Sequence, residues 1–122
     1  MENIFINCSN HPSINWSEPQ IEAALKYGKI VDIQFPNVDC DLTNKEINDL
    51  AESYAKRIME YNPAAVMCMG EFVTCYKIVE ILKKNNIKVL ASCTKRETEE
   101  SIQDDGSTIK NARFVFAGFR EF

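Results

Sequence analysis

Ser9-Asn10-His11-Pro12-Ser13 gathers two hydroxyls, a carboxamide and the chain's only imidazole directly behind the apolar stretch Ile4-Phe5-Ile6. Imidazole is the side chain that exchanges protons around neutral pH, which qualifies His11 as a general acid or base. It could equally hydrogen-bond the loop's own backbone. Ser9 and Ser13 could donate hydrogen bonds to a ligand, with Asn10 beside them. Cys8 and His11 also suggest a nucleophile and its base, although Cys8 falls inside the preceding strand.

Two further segments carry candidate chemistry. In Met69-Gly70-Glu71-Phe72, a strand runs into a helix, whose unpaired N–H groups attract anions such as phosphate. The glycine would let a ligand come close to the backbone. The plainer alternative is that Gly70 makes a tight turn and Glu71 favours the helix dipole. In Ser92-Cys93-Thr94-Lys95-Arg96, a basic pair follows a strand, and Arg96 could fork onto two phosphate oxygens. Alternatively the pair is solvated and balances Glu97, Glu99 and Glu100. Trp16 could pack at the start of the next helix or stack on a base. No G-x-G-x-x-G or G-x-x-x-x-G-K-[ST] occurs, which argues against dinucleotide and triphosphate chemistry of the familiar kinds. Asp39 and Asp41 flank Cys40 without the further oxygen ligands of a calcium loop. No metal and no cofactor is expected.

These residues need a scaffold, and the pattern along the chain alternates strand and helix, the signature of a parallel sheet with helices packed on it. A first strand covers about Asn3–Cys8. Ser17, Pro19 and Gln20 read as a helix start, with Ser17 as cap. Ile21, Ala24 and Leu25 share a face, and Gly28 serves as a left-handed terminator. A second strand spans Ile30–Phe35, with Pro36-Asn37 beyond it. Thr43 and Glu46 form a capping box that opens a strongly periodic helix running to Asn62-Pro63. Ala64–Met69 reads as a central strand, apolar throughout. The helix Phe72–Lys84 is apolar around most of its circumference, so it should be buried or at an interface. A fourth strand spans Ile87–Ser92. Thr98–Gln103 and Thr108–Phe119, joined through Asp105-Gly106, form a terminal antiparallel hairpin, with a short helix around Glu97–Gln103 as the alternative.

The fold class that follows is α/β: a three-layer, Rossmann-like, mainly parallel sheet of order 2-1-3-4 with a C-terminal hairpin, forming one domain over residues 1–122. In such sheets ligands bind beyond the carboxyl ends of the strands, where strand order reverses. Ser9, Asn10, His11 and Ser13 would converge there with Gly70, Glu71, Phe72, Thr94, Lys95 and Arg96, and Asn37 would lie at the rim.

At 45% hydrophobic and 26% charged, the chain is long enough for its own core. Its net charge of −4 argues against a partner of duplex nucleic acid. The five cysteines form no C-x-x-C pair, so neither a disulfide framework nor a zinc site is indicated. Cys68, Cys75 and Cys93 read as small core residues, and a reducing cytoplasm fits best. No leader and no membrane-spanning run is visible.

Taken in order, Ser9-Asn10-His11-Pro12-Ser13 with Trp16, Gly28-Lys29-Ile30-Val31-Asp32, Phe35-Pro36-Asn37-Val38, Met69-Gly70-Glu71-Phe72 and Phe119-Arg120-Glu121-Phe122 resemble a group of small CRISPR-associated proteins. These are similar to stand-alone CARF domains, the CRISPR-associated Rossmann folds. The resemblance implies a homodimer that binds cyclic oligoadenylate, the second messenger of type III antiviral systems. It also implies a possible ring nuclease, which opens that ring without metal through the ribose 2′-OH. In that case His11 would assist proton transfer, and Lys95 or Arg96 would stabilise phosphorane charge. Ser9 and Asn10 would help to position the phosphate. A non-catalytic sensor or sponge and a protein-interaction module are the alternatives. No ring-nuclease motif is specific enough to transfer residue by residue.

Overall fold

The computed structural model of the chain describes residues 2–122. Five strands form one sheet in the order β2-β1-β3-β4-β5. The strands are β1 Ile4–Ser9, β2 Lys29–Gln34, β3 Ala65–Cys68, β4 Val89–Ile102 and β5 Thr108–Glu121, and the helices are α1 Glu18–Leu25, α2 Asn44–Met59 and α3 Phe72–Lys84. β1 through β4 are parallel, and β5 returns antiparallel to β4. The sheet therefore has the expected topology, with the hairpin supplying its fifth strand.

Strand alternation sends successive side chains to opposite faces, which makes two cores. On one face Ile6, Cys8, Ile33, Val66, Cys68 and Val89 pack against Ala51, Ala55 and Ile58 of α2 and Ile78 and Leu82 of α3. On the other, Phe5, Ala65, Met67 and Leu90 pack against Ala24 of α1, and Trp16, Tyr27 and Phe119 close the edge. β3 is buried along its whole length because it is central and covered on both sides. Thr43 and Glu46 form the reciprocal capping box at the start of α2.

Three local expectations differ. Ser17 precedes α1 but its side chain makes no capping hydrogen bond. Gly28 does not terminate α1 in a left-handed conformation, since only Gly106 and Gly118 among the glycines have positive φ. It is glycine because the chain crosses β1 there. A Cβ at Gly28 would collide with the carbonyl of Asn3 and would stand 2.7 Å from Ile4 N.

The third difference is the largest. β4 does not end at Ser92 but runs on to Ile102, 14 residues in all, so Thr94, Lys95 and Arg96 lie within a strand, and the helical alternative near Glu97 is excluded. From the Arg96–Phe114 pair outward the ribbon of β4 and β5 leaves the helices and is exposed on both faces. It carries ladder bonds and exposed ion pairs, Arg113 with Glu97 and Glu99 and Lys110 with Glu100. Such pairs contribute little, because water screens them.

The β4–β5 register skips a residue: Cys93 pairs with Gly118 and Thr94 with Phe116, leaving Ala117 as a bulge. The extra residue lets Phe116 and Phe119, three apart in sequence, emerge on the same face. Their rings meet edge to face at 5.1 Å.

Candidate functional site

The loop after β1 is built on a side chain that the sequence reading passed over. Asn7 is 1% exposed in the middle of β1. Its amide donates to the His11 carbonyl (2.9 Å) and to Asp32 Oδ1 (3.0 Å), and its carbonyl accepts from Ser9 Oγ (2.7 Å). Asp32 stands directly opposite Asn7 in the β1–β2 register. The other Asp32 oxygen accepts from both the backbone N–H and the hydroxyl of Ser13. The Trp16 indole N–H donates to the His11 carbonyl at 3.0 Å, and its ring packs on Phe5. This network fixes the loop. It also occupies Ser9 and Ser13, whose hydroxyl protons go to Asn7 and Asp32 rather than toward a ligand. A polar Asn inside an otherwise apolar strand was the available signal.

Beyond the carboxyl ends of β1, β3 and β4, on the α1 face, lies a groove of about 540 Å³. Ser9, His11, Asn15, Trp16, Gln20, Met67, Met69, Ser92, Thr94, Phe114 and Phe116 line it. It adjoins the boundary between β1 and β3, where strand order reverses. His11 is exposed at its edge, with the main chain held and the imidazole unencumbered by any hydrogen bond among the described residues.

A second, apolar groove of about 910 Å³ lies on the opposite face, against α3. Gly70 and Phe72 line this one, along with Cys68, Cys75, Tyr76 and Ala91, and Met69 borders both grooves. Gly70 is glycine because a Cβ would stand 2.6 Å from Phe35 Cγ, in a ring that is itself 2% exposed. Phe72 is 89% exposed and Tyr76 65%, so one flank of the apolar α3 faces solvent.

Glu71 sits in neither groove. It is the N-cap of α3, with its carboxylate accepting from Val73 N (2.8 Å), Thr74 N (2.9 Å) and Thr74 Oγ1 (2.7 Å). The Thr74 backbone and hydroxyl bonds, then the Val73 N–H, hold its carboxyl below the usual glutamate range. The helix terminus is therefore already filled by its own carboxylate. The Glu71 carboxylate thus takes up the Val73 and Thr74 N–H groups that an anion would use.

Lys95 and Arg96 are adjacent on an extended strand and therefore point to opposite faces. Thr94 lines the α1-side groove, so Arg96, two residues on and paired with Phe114, shares that face, whereas Lys95 faces the other way. The two side chains therefore leave the strand on opposite faces. Asn10 and Asn37 are exposed outside both grooves. The expected single mouth is thus two grooves divided by the sheet. His11 and Thr94 come together with Trp16, Phe114 and Phe116, the last two from a strand not assigned to the site.

Among the described residues, no group of three or more His, Cys, Asp or Glu side chains is arranged to hold a metal ion. No helix is long and apolar enough to cross a membrane.

Fold and groove together define a three-layer α/β protein with an open cleft at the switch point of its sheet. The chain belongs to the uncharacterized protein MJ1673 family, whose family model matches residues 3–120. No curated protein and no solved structure matches it.

Proposed function

We propose that the chain binds a cyclic oligoadenylate in the α1-side groove and acts as a homodimer. The observation that carries this is the composition of the groove. Trp16, Phe114 and Phe116 offer ring faces beside His11, Gln20, Ser92 and Thr94, with Arg96 on the same face of the ribbon. Aromatic faces stack bases, hydroxyl and amide groups read their edges, and a guanidinium meets phosphate. A groove of about 540 Å³ is on the scale of one small ligand and is smaller than a ring of several nucleotides. Two copies around a two-fold axis would supply two such grooves to a symmetric ring.

Binding without cleavage, as a sensor or sponge, is the form of this reading that the charge layout favours. Ring opening needs a proton shuttle and concentrated positive charge at one phosphate. The divergence of Lys95 and Arg96 leaves only His11 and Arg96 for that task.

The test is to mix purified chain with labelled cyclic oligoadenylates of defined ring size. Intact ligand retained by the protein supports the sponge, and linear products support a ring nuclease using His11. No retention of any ring overturns the proposal, and co-purification of a protein partner in its place would favour an interaction module. Phe114→Ala supplies the site-specific control. This side chain is 72% exposed, so its loss should leave stability unchanged and weaken retention by about tenfold, the order expected for one lost stacking platform.

A further inference from the structure

The nucleotide reading makes no use of three cysteines that three different elements bring together. Cys8 lies in the buried run of β1, Cys68 ends β3, and Cys75 lies in the first turn of α3. Cys8 and Cys68 are directly paired across the sheet, fully buried and on the α2–α3 face. Cys75 Sγ is 3.7 Å from Cys68 Sγ and donates to the Cys68 carbonyl at 3.4 Å. Cys75 and Cys68 also form part of the wall of the 910 Å³ apolar groove, where Cys75 keeps 9% of its surface exposed and Cys68 is fully buried beside it.

We propose that Cys75 and Cys68 form a dithiol site that hydrogen peroxide converts to an intramolecular disulfide. The Cys75 thiolate attacks one peroxide oxygen, the O–O bond breaks, hydroxide leaves and takes up a proton as water, and Cys75 becomes a sulfenic acid. The Cys68 thiol then attacks the Cys75 sulfur, the S–O bond breaks, and a second water leaves with the Cys68 proton. Two thiols and one peroxide give one disulfide and two waters.

Geometry selects the pair. The sulfurs are already in contact and need to close to about 2.05 Å, a movement within reach of side-chain rotation. The roles differ in a way that fits the order of steps. The hydrogen-bond contact with Cys68 lowers Cys75 from the ordinary thiol range against its burial, and the Gly70 backbone helps. Hydrogen bonds to Cys75 and Cys8, followed by burial, push Cys68 well up. Cys75 is therefore the thiol that ionises first and meets the oxidant, and Cys68 resolves it. Cys8 has no groove surface among the described residues. The bond would tie the end of β3 to α3 across Met69-Gly70-Glu71, the turn whose Met69 borders both grooves.

The full reduced chain carrying Cys40→Ser, which removes an exposed thiol, is treated with hydrogen peroxide, blocked with an alkylating agent and digested with trypsin. Cleavage after Arg57 and Lys77 leaves Cys68 and Cys75 on one peptide free of other cysteines. The expected result is that this peptide loses two hydrogens and takes up no alkylating agent, reversibly with a thiol reductant. In Cys68→Ala, a 1,3-diketone should trap the sulfenic acid on Cys75. The proposal is overturned if the peptide keeps two alkylatable thiols under peroxide, or if the linkage joins Cys8 instead. The wild-type pair is read directly, so the outcome does not depend on either variant folding, and it is separate from nucleotide binding.

Discussion

Replacing Asn7 tests the network that shapes the candidate groove. The side chain makes two donor bonds and one acceptor bond at 1% exposure. Net contributions run at about 1 kcal/mol for a neutral hydrogen bond and about 1.5–3 kcal/mol for one to a charged group, so the gross loss in Asn7→Ala is about 4 kcal/mol. The orphaned partners recover part of it. The His11 carbonyl keeps the Trp16 indole, Asp32 keeps Ser13, and the Ser9 hydroxyl lies 3.3 Å from the His11 carbonyl and can turn to it. The expected net cost is about 2–3 kcal/mol, a large share of the stability of a domain this size. Asn7→Asp has nearly the same shape but is expected to be worse, at about 4 kcal/mol. It aims a second carboxylate at an Asp32 oxygen that now lies 3.0 Å from a donor, and at a carbonyl. Urea unfolding measures both, with the midpoint falling and the slope unchanged. An Asn7→Ala cost under about 0.5 kcal/mol, or an Asp variant milder than the Ala variant, would refute the assigned network.

Three further outcomes follow from particular contacts. Gly28→Ala should cost more than about 1 kcal/mol, the centre of the range for single substitutions, because the new Cβ meets Asn3 backbone rather than a movable side chain; a neutral thermal melt would contradict this. Glu71→Ala should cost about 1 kcal/mol as a lost N-cap while leaving nucleotide retention unchanged. Because the folded-state value of Glu71 is depressed, its contribution is present above the ordinary value of 4.5 and fades as pH falls through the folded value, so the difference between Glu71→Ala and wild type should shrink in acid. Arg96→Ala should weaken retention of the cyclic ligand and flatten its salt dependence, whereas Lys95→Ala should do neither, and equal effects would show that the two share a face after all.

What could be read along the chain was what neighbours in sequence decide. The Thr43–Glu46 box and the apolar spacing behind it set α2, and the all-apolar Ala64–Met69 announced the central strand observed as Ala65–Cys68. The limits of α3, Phe72 and Lys84, agree with the spacing. Strand order followed from the alternation of elements, because handed crossovers leave few topologies. The hairpin arms Thr98–Gln103 and Thr108–Phe119 were legible, but that the first arm is the continuation of β4 was hidden, because the exposed stretch from Thr94 buries no face that a hydrophobic period could record. The role of Gly28 was misread for a related reason: the obstacle is Asn3, a residue far away in sequence.

The candidate site divides along the same line. That polar and basic groups lie beyond strand ends was visible in the order of residues. Which of them meet was decided by pairing. The β1–β2 register sets Asp32 against Asn7 and commits the hydroxyl protons of Ser9 and Ser13 to those side chains. The pleat of β4 parts Lys95 from Arg96, and the bulge at Ala117 turns Phe116 and Phe119 to one face. Register and pleat act between segments remote in sequence. Their side-chain consequences exist only once the strands are laid side by side.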